Sequence, residues 1–138
     1  PAAAADHPQV DPSLPKVVAY RSPTCGCCEL WIEHMRASGF DVAVETTNQM
    51  PAIKASSGVP TGADSCHTAK VGDYFIEGHV PASDVKRLLA TRPDARGLTV
   101  PGMVPGSPGM EQGNVSRPYD VLLVARDGST SVFAHHGD

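Results

Sequence analysis

Three of the four cysteines of this chain fall within four consecutive positions, at Cys25, Cys27 and Cys28. Residues 16–20, just before them, are mostly apolar and β-branched, which predicts a short buried strand. Residues 29–38, just after them, carry apolar side chains at helical spacing. The cysteines are therefore expected in a turn that opens a helix. The partial positive charge of a helix N-terminus favours thiolate over thiol, so their pKa values should be low.

Further strands and helices are predicted along the chain. The expected strands cover residues 40–44, 66–71, 74–77 and 119–125, and the expected helices cover residues 50–57 and a segment that starts at Pro81. A C-x-x-C pair beside a βαβ pattern favours a thioredoxin-like fold. The predicted class is thus α/β, with a central mixed sheet flanked by helices. The predicted division is a flexible leader at residues 1–15, a thioredoxin-like domain at 16–92 and a C-terminal extension at 93–138 that contributes to a metal site.

The extension begins with a segment rich in glycine and proline, residues 93–118. Such a composition predicts neither regular helix nor central strand, and favours an ordered loop or a linker. Met103 and Met110 lie in this segment without helical periodicity. A thioether is a soft donor suited to Cu(I), but methionine also fills gaps where a loop packs on a core. The two interpretations have equal weight.

Composition excludes several classes of function. Hydrophobic residues make up 41% and charged residues 19% of the 138 positions, which is typical of a globular domain. The formal net charge of −4 leaves no basic surplus for binding nucleic acid. No apolar run is long enough for a membrane span. The alanine-rich start, residues 1–5, is typical of the region around a signal-peptidase site, so a mature exported protein is expected.

The cysteine spacing favours a soft metal over the alternatives. Two structural disulfides remain an alternative, although crowding three thiols into one turn would cross-link very little of the chain. Structural zinc is a second alternative, but zinc sites usually combine two separated cysteine pairs. Closely packed thiolates suit bridging sulfurs and select Cu(I). Cys66, the fourth cysteine, is expected to start a strand beside the turn and to join the site.

Histidines provide further candidates around Cys66. His67 follows it directly, but successive side chains of a strand point to opposite faces, so Cys66 is favoured as the ligand and His67 as a supporting group. His79 precedes a predicted helix and is a second supporting candidate. His135 and His136 are expected in a flexible C-terminal tail.

Several motifs in this order resemble those of the CopG-type copper-resistance proteins of Gram-negative bacteria. They are residues 22–28, 65–69, 71–74 and 77–82, followed by the loop that carries the two methionines. The resemblance implies a thioredoxin-like domain with a C-terminal extension, located in the periplasm. It implies a cysteine-bridged, polynuclear copper cluster. The implied sulfur ligands are Cys25, Cys27, Cys28 and Cys66, with Met103 or Met110 as a further contact.

The predicted function is that of a periplasmic copper-binding protein of copper resistance, a redox protein that interconverts Cu(I) and Cu(II). One alternative is a copper chaperone or buffer that never turns over. Another is a thiol–disulfide oxidoreductase in which Cys25 attacks and Cys28 resolves, although such an enzyme has no need of Cys27. The expected partners are copper ions and periplasmic copper export or chaperone proteins, and the chain is expected to be a monomer.

Overall fold

A computed structural model describes residues 10–24, 27–101, 108 and 118–137 of this chain, without the side chain of Cys27. Within them lie three helices: α1 (Cys27–Ala37), α2 (Met50–Ser57) and α3 (Ala82–Thr91). The strands are β1 (Val17–Arg21), β2 (Val42–Thr46), β3 (Thr68–Val71), β4 (Tyr74–Glu77), β5 (Ala95–Thr99), β6 (Tyr119–Ala125) and β7 (Thr130–His136). The predicted order of elements is confirmed as far as α3.

The seven strands form one mixed sheet in the order β2-β1-β3-β4-β5-β6-β7. The pairs β1–β2 and β4–β5 are parallel, and the other pairs are antiparallel. Each parallel pair is joined through a helix, α1 in the first case and α3 in the second, as parallel connections require. The α/β class with a mixed sheet is therefore confirmed.

Helix α1 buries one face against the sheet. Trp31, Ile32 and Met35 are at most 1% exposed, and their spacing places them on the same side of the helix. The indole Nε1 of Trp31 donates a hydrogen bond to the Val80 carbonyl at 2.8 Å, which satisfies its polar atom inside the core. Helix α3 packs in the same way through Val85 and Leu88. These contacts fix the helix that carries the cysteine turn against the sheet.

The expectation that no part of residues 93–118 is a central strand is wrong. Strand β5 lies between β4 and β6 in the interior of the sheet. Its flanking prolines, Pro93 and Pro101, stand outside the strand, where no ladder hydrogen bond is lost. Gly97 is paired with Phe75 of β4, and a Cβ atom at this position would overlap the Phe75 carbonyl. The glycine thus allows the two backbones to approach closely.

Part of the segment expected as a leader contacts the domain. Among the described residues, the Asp11 amide donates to the Gly39 carbonyl at 2.8 Å, and Leu14 packs against the core. Residues 1–9 lie outside the described part of the chain.

The C-terminal histidines, expected in a flexible tail, are instead the last residues of β7. His135 is hydrogen-bonded to Asp120 and His136 to Asp84, each at 2.6 Å. Strand β7 pairs antiparallel with β6. None of the helices that the structure describes has the length and apolar character needed to cross a membrane.

Candidate metal centre

The β3–β4 hairpin brings Cys66 and His79 together. Cys66 lies just before β3, and His79 lies just after β4, so both stand at the open end of the hairpin. The Gly78 amide donates to the His67 carbonyl at 3.0 Å, which extends the pairing of β3 and β4 beyond its last pair, Thr68 and Glu77. As a result, the Cys66 Sγ lies 3.1 Å from the His79 Nε2 atom.

Gly78 makes this approach possible. Its φ of +75° is a conformation that residues with a side chain rarely adopt. A Cβ atom there would stand 2.7 Å from both the Ser65 Cβ and the Val100 carbonyl oxygen. The loop that carries Cys66 therefore packs directly on the backbone in front of His79.

Cys66 and His67 do not point to opposite sides, contrary to the expectation. The His67 Nδ1 atom lies 3.3 Å from the Cys66 Sγ. Strand β3 begins only at Thr68, so the alternation of a pleated strand does not apply to these two residues. The Ser65 hydroxyl, at 4.0 Å, is a third hydrogen-bonding group beside this sulfur.

Cys28 provides a second sulfur to the same place. It lies in the first turn of α1 and is 1% exposed. Ligand atoms of Cys28, Cys66 and His67 all lie within 4.8 Å of one another, which is a geometry that could hold a metal ion. Cys28 is disulfide-bonded. Because metals bind thiolates, the disulfide must be reduced before Cys28 can act as a ligand.

His67 is neutral in this environment. Burial, followed by electrostatic interactions with His79, Lys54 and Arg21, lowers the pKa of His67 to about 3. Its ring lies 4.6 Å from the Trp31 ring and 5.1 Å from the His79 ring, measured between centroids. Its Nε2 atom is buried and has no hydrogen-bond partner among the described residues. A neutral imidazole of this kind can serve as a metal ligand.

His79 connects the site to the C-terminal extension. Its Nδ1 atom lies 2.5 Å from the Pro108 carbonyl oxygen. A carbonyl only accepts hydrogen bonds, so the Nδ1 atom carries a proton and donates. In the neutral ring, the Nε2 atom then presents its lone pair to Cys66.

A buried ion pair beneath the site was missed in the sequence. The Glu77 side chain is fully buried and is paired with Lys54 of α2, whose side chain is 16% exposed. The carboxylate also accepts from the Ser65 amide at 2.7 Å and from the Thr68 hydroxyl at 2.5 Å. Burial raises the pKa of Glu77 in spite of these hydrogen bonds. The only signal in the sequence was an acidic residue at the end of an otherwise apolar strand.

The structure leaves several predicted ligands untested. Cys25, Met103, Met110 and the side chain of Cys27 lie outside the described residues. Four of the predicted site residues lie close together in the structure: Cys28, Cys66, His67 and His79.

The donor set fits a soft or borderline metal. Two sulfurs and an imidazole nitrogen are ligands that copper and zinc accept, whereas calcium and magnesium require oxygen. The unpartnered, buried Nε2 atom of His67 shows that this pocket has one polar group that no described protein atom satisfies. The residues present therefore fit a thiophilic metal.

Comparisons with known proteins agree with this chemistry. Residues 63–110 match the family described as "Protein of unknown function, DUF411". Two solved structures of copper resistance protein CopG, form 2 and form 1, are 42% and 41% identical to this chain. Each alignment covers 91% of this chain and 100% of the solved chain, with a TM-score of 0.86. A comparison with curated proteins found no match.

Proposed function

We propose that this chain binds copper, because it belongs to the family of copper resistance protein CopG. The observation that carries the proposal is the group of ligand atoms from Cys28, Cys66 and His67, all within 4.8 Å of one another. Thiolate sulfur selects Cu(I) among the common metals. A family named for copper resistance and a sulfur-rich metal site thus support the same function.

The proposed ligands are the four cysteines of the chain, Cys25, Cys27, Cys28 and Cys66, with Met103 or Met110 as a further soft donor. Three thiolates from one turn and a fourth from the β3 side favour sulfurs shared between several copper ions. The described contact between His79 and Pro108 supports a role of the extension, because Pro108 belongs to the segment that carries both methionines.

We further propose that the bound copper changes between Cu(I) and Cu(II), so that the protein is an oxidoreductase and not only a store. Copper would supply a one-electron couple, and the protein would supply the electrostatic environment. Arg21 and Lys54 both act as positive charges on His67, and a positive potential favours the reduced state. Both cations are paired with carboxylates, Glu29 and Glu77, so their effect on the potential is modest.

The first test concerns the ligands. Replacing Cys66 by Ser should lower the copper bound per chain, measured by metal analysis of reduced protein after removal of loosely held copper. His135→Gln is the matched control, because His135 lies at the exposed end of β7 and could bind copper only adventitiously. An unchanged copper content in C66S would remove Cys66 from the site.

The second test separates the oxidoreductase from a buffer. The copper-loaded protein is titrated electrochemically while its visible absorption is followed. A reversible one-electron wave with copper retained supports the oxidoreductase. Irreversible loss of copper on oxidation, with disulfide formation, would support the buffer.

A thioredoxin-like domain and a periplasmic location are part of the same proposal. The order β2-β1-β3-β4, with β1–β2 parallel and β3–β4 antiparallel, supports the thioredoxin-like arrangement of residues 16–92. The proposed partners are copper ions and periplasmic copper export or chaperone proteins, with the chain acting as a monomer. Recovery of the protein in the osmotic-shock fraction of the cells that produce it would test the location.

A further inference from the structure

Helix α1 is bonded at two successive turns to the segment that follows β4. The Trp31 Nε1 atom donates to the Val80 carbonyl at 2.8 Å, and the Ala82 amide donates to the His34 Nε2 atom at 3.0 Å. Trp31 and His34 are three residues apart, so both side chains lie on the side of α1 that faces this segment. Trp31, Val80 and Ala82 are at most 2% exposed. Two side chains therefore tie residues 80–82 to α1 inside the protein.

The His34 imidazole satisfies a backbone group at the start of α3. The Ala82 amide stands at the first position of α3, where no carbonyl of the same helix can accept from it. Pro81 precedes it and has no side-chain acceptor that could cap the helix. Because Ala82 is buried, leaving its amide without an acceptor would be costly. The amide only donates, so the His34 Nε2 atom carries no proton and the Nδ1 atom does.

The same two segments lead to the metal centre. Cys28 precedes Trp31 by three residues on α1, and His79 directly precedes Val80. The His79 Nε2 atom lies 3.1 Å from the Cys66 Sγ, and the Cys28 Sγ lies within 4.8 Å of the same sulfur. A shift of the segment after β4 along α1 would thus move His79 relative to Cys28.

We propose that His34 is a positioning residue of the metal centre. Its hydrogen bond from Ala82 holds the start of α3 against α1, and thereby holds the His79 imidazole beside the Cys66 sulfur. The His34 Nε2 atom is occupied by the Ala82 amide, so His34 acts on the site through the backbone and not as a ligand. This role rests on the proposed binding of copper, whereas the hydrogen bond itself can be measured without metal.

Three variants of the whole chain, studied in the reduced form, separate positioning from general stability. His34→Leu has a side chain of similar size but no acceptor. His34→Gln keeps an acceptor, because its amide oxygen can take the place of the Nε2 atom. Val124→Ala is the control: it removes buried methyl groups at the end of the sheet away from His79.

The first measurement is hydrogen exchange of the Ala82 amide in the metal-free protein, followed by NMR. Exchange should be about tenfold or more faster in H34L than in the wild type, and it should remain slow in H34Q. The second measurement is copper affinity, by competition with a Cu(I) chelator. H34L should bind copper about tenfold more weakly, whereas H34Q and V124A should bind it as the wild type does.

The outcomes distinguish the positioning role from the proposed function. A wild type that binds no copper overturns the proposed function, and the positioning role with it, even if Ala82 exchanges as expected. Equal copper affinity of the wild type and H34L overturns the positioning role alone. The same holds if V124A loses as much affinity as H34L, because the loss then follows stability. If H34L is unfolded, His34→Asn replaces it: its amide is one bond shorter than that of Gln and should not reach Ala82, so copper binding by H34N as tight as that of the wild type would overturn the inference.

Discussion

The burial of the His67 imidazole makes the stability of the folded protein depend on pH. Burial keeps it neutral, and its pKa of about 3 lies well below the ordinary value of 6.5. In the unfolded chain the same ring is free to take up a proton as the pH falls below 6.5. The folded state cannot follow until the pH approaches 3. His67 therefore contributes stability above pH 6.5 that is lost progressively as the pH falls toward 3.

This linkage predicts a pH-dependent stability. Between pH 7 and pH 5, His67 alone should lower the free energy of unfolding of the metal-free protein by about 2 kcal/mol. His67→Phe retains an aromatic ring beside Trp31 but cannot be protonated. Urea unfolding of both proteins at the two pH values isolates the His67 contribution, because the other titrating groups are common to both. Equal losses in wild type and H67F would contradict the prediction.

The Lys54–Glu77 pair is a second residue-scale feature with an energetic consequence. Glu77 has no exposed surface, so its charge depends on Lys54 and on hydrogen bonds from Ser65 and Thr68. Removing only the cation would leave an uncompensated buried carboxylate. The Ser65 amide joins this network directly before Cys66, which links the ion pair to the position of the site.

Lys54→Met should lower the free energy of unfolding by about 3 kcal/mol at pH 7. Lys86→Met, on the exposed side of α3, is the control and should change it by less than about 0.5 kcal/mol. The double variant K54M/E77M should be more stable than K54M, since it removes the unpaired charge together with its partner. Denaturant unfolding measures all three. A K54M protein as stable as K86M would show that the pair is energetically neutral.

At the scale of elements, β5 is the strand that was not predicted from the sequence. Its surroundings are rich in glycine and proline, and Gly97 interrupts the apolar pattern. The reason for the glycine is a contact with β4, a strand about twenty positions earlier, and a local pattern carries no information on such a contact. The positions of Cys66 and His67 relative to each other depend on the exact residue at which β3 begins, and a local pattern does not determine that residue. Helix α1, with its regular apolar spacing and local hydrogen bonds, could be predicted from sequence.

Gly97→Ala tests the close approach of β4 and β5. The added methyl group would overlap the Phe75 backbone carbonyl, which no side-chain rotation can relieve, so the strands must separate. We expect a loss of about 3 kcal/mol in the free energy of unfolding. Gly62→Ala is the control: Gly62 has a φ of +89° but open space around it, so only backbone strain of about 1–2 kcal/mol is expected. If both variants lose the same amount, the close approach is not the reason for the glycine.

At the scale of the whole molecule, the strands after α3 are part of one sheet with the cysteine-bearing half. Val121 and Val124 of β6 are fully buried. The Arg87 guanidinium of α3 lies over the Phe133 ring of β7, with 3.9 Å between the guanidinium carbon and the ring centroid. The division into a domain at residues 16–92 and an extension at 93–138 remains a prediction, and the sheet continues across it. Truncation after Arg92 would remove three strands and expose the edge of β4, so it cannot isolate the role of the methionine loop.

A loop replacement isolates that role. Thr99 of β5 is paired with Leu122 of β6, so the two strands can be joined by a short Gly/Ser linker in place of residues 102–117. The free energy of unfolding should change by no more than about 1 kcal/mol, because loop-closure entropy depends only weakly on length. Copper retention, measured by competition with a Cu(I) chelator, should fall, because Met103, Met110 and the Pro108 carbonyl that orients His79 are all lost. The double variant M103L/M110L preserves Pro108 and therefore separates the thioether donors from the His79 contact. If the loop-replaced protein is folded and holds copper as tightly as the wild type, the methionine loop has no part in the metal site, and the cysteines with their two histidines are sufficient.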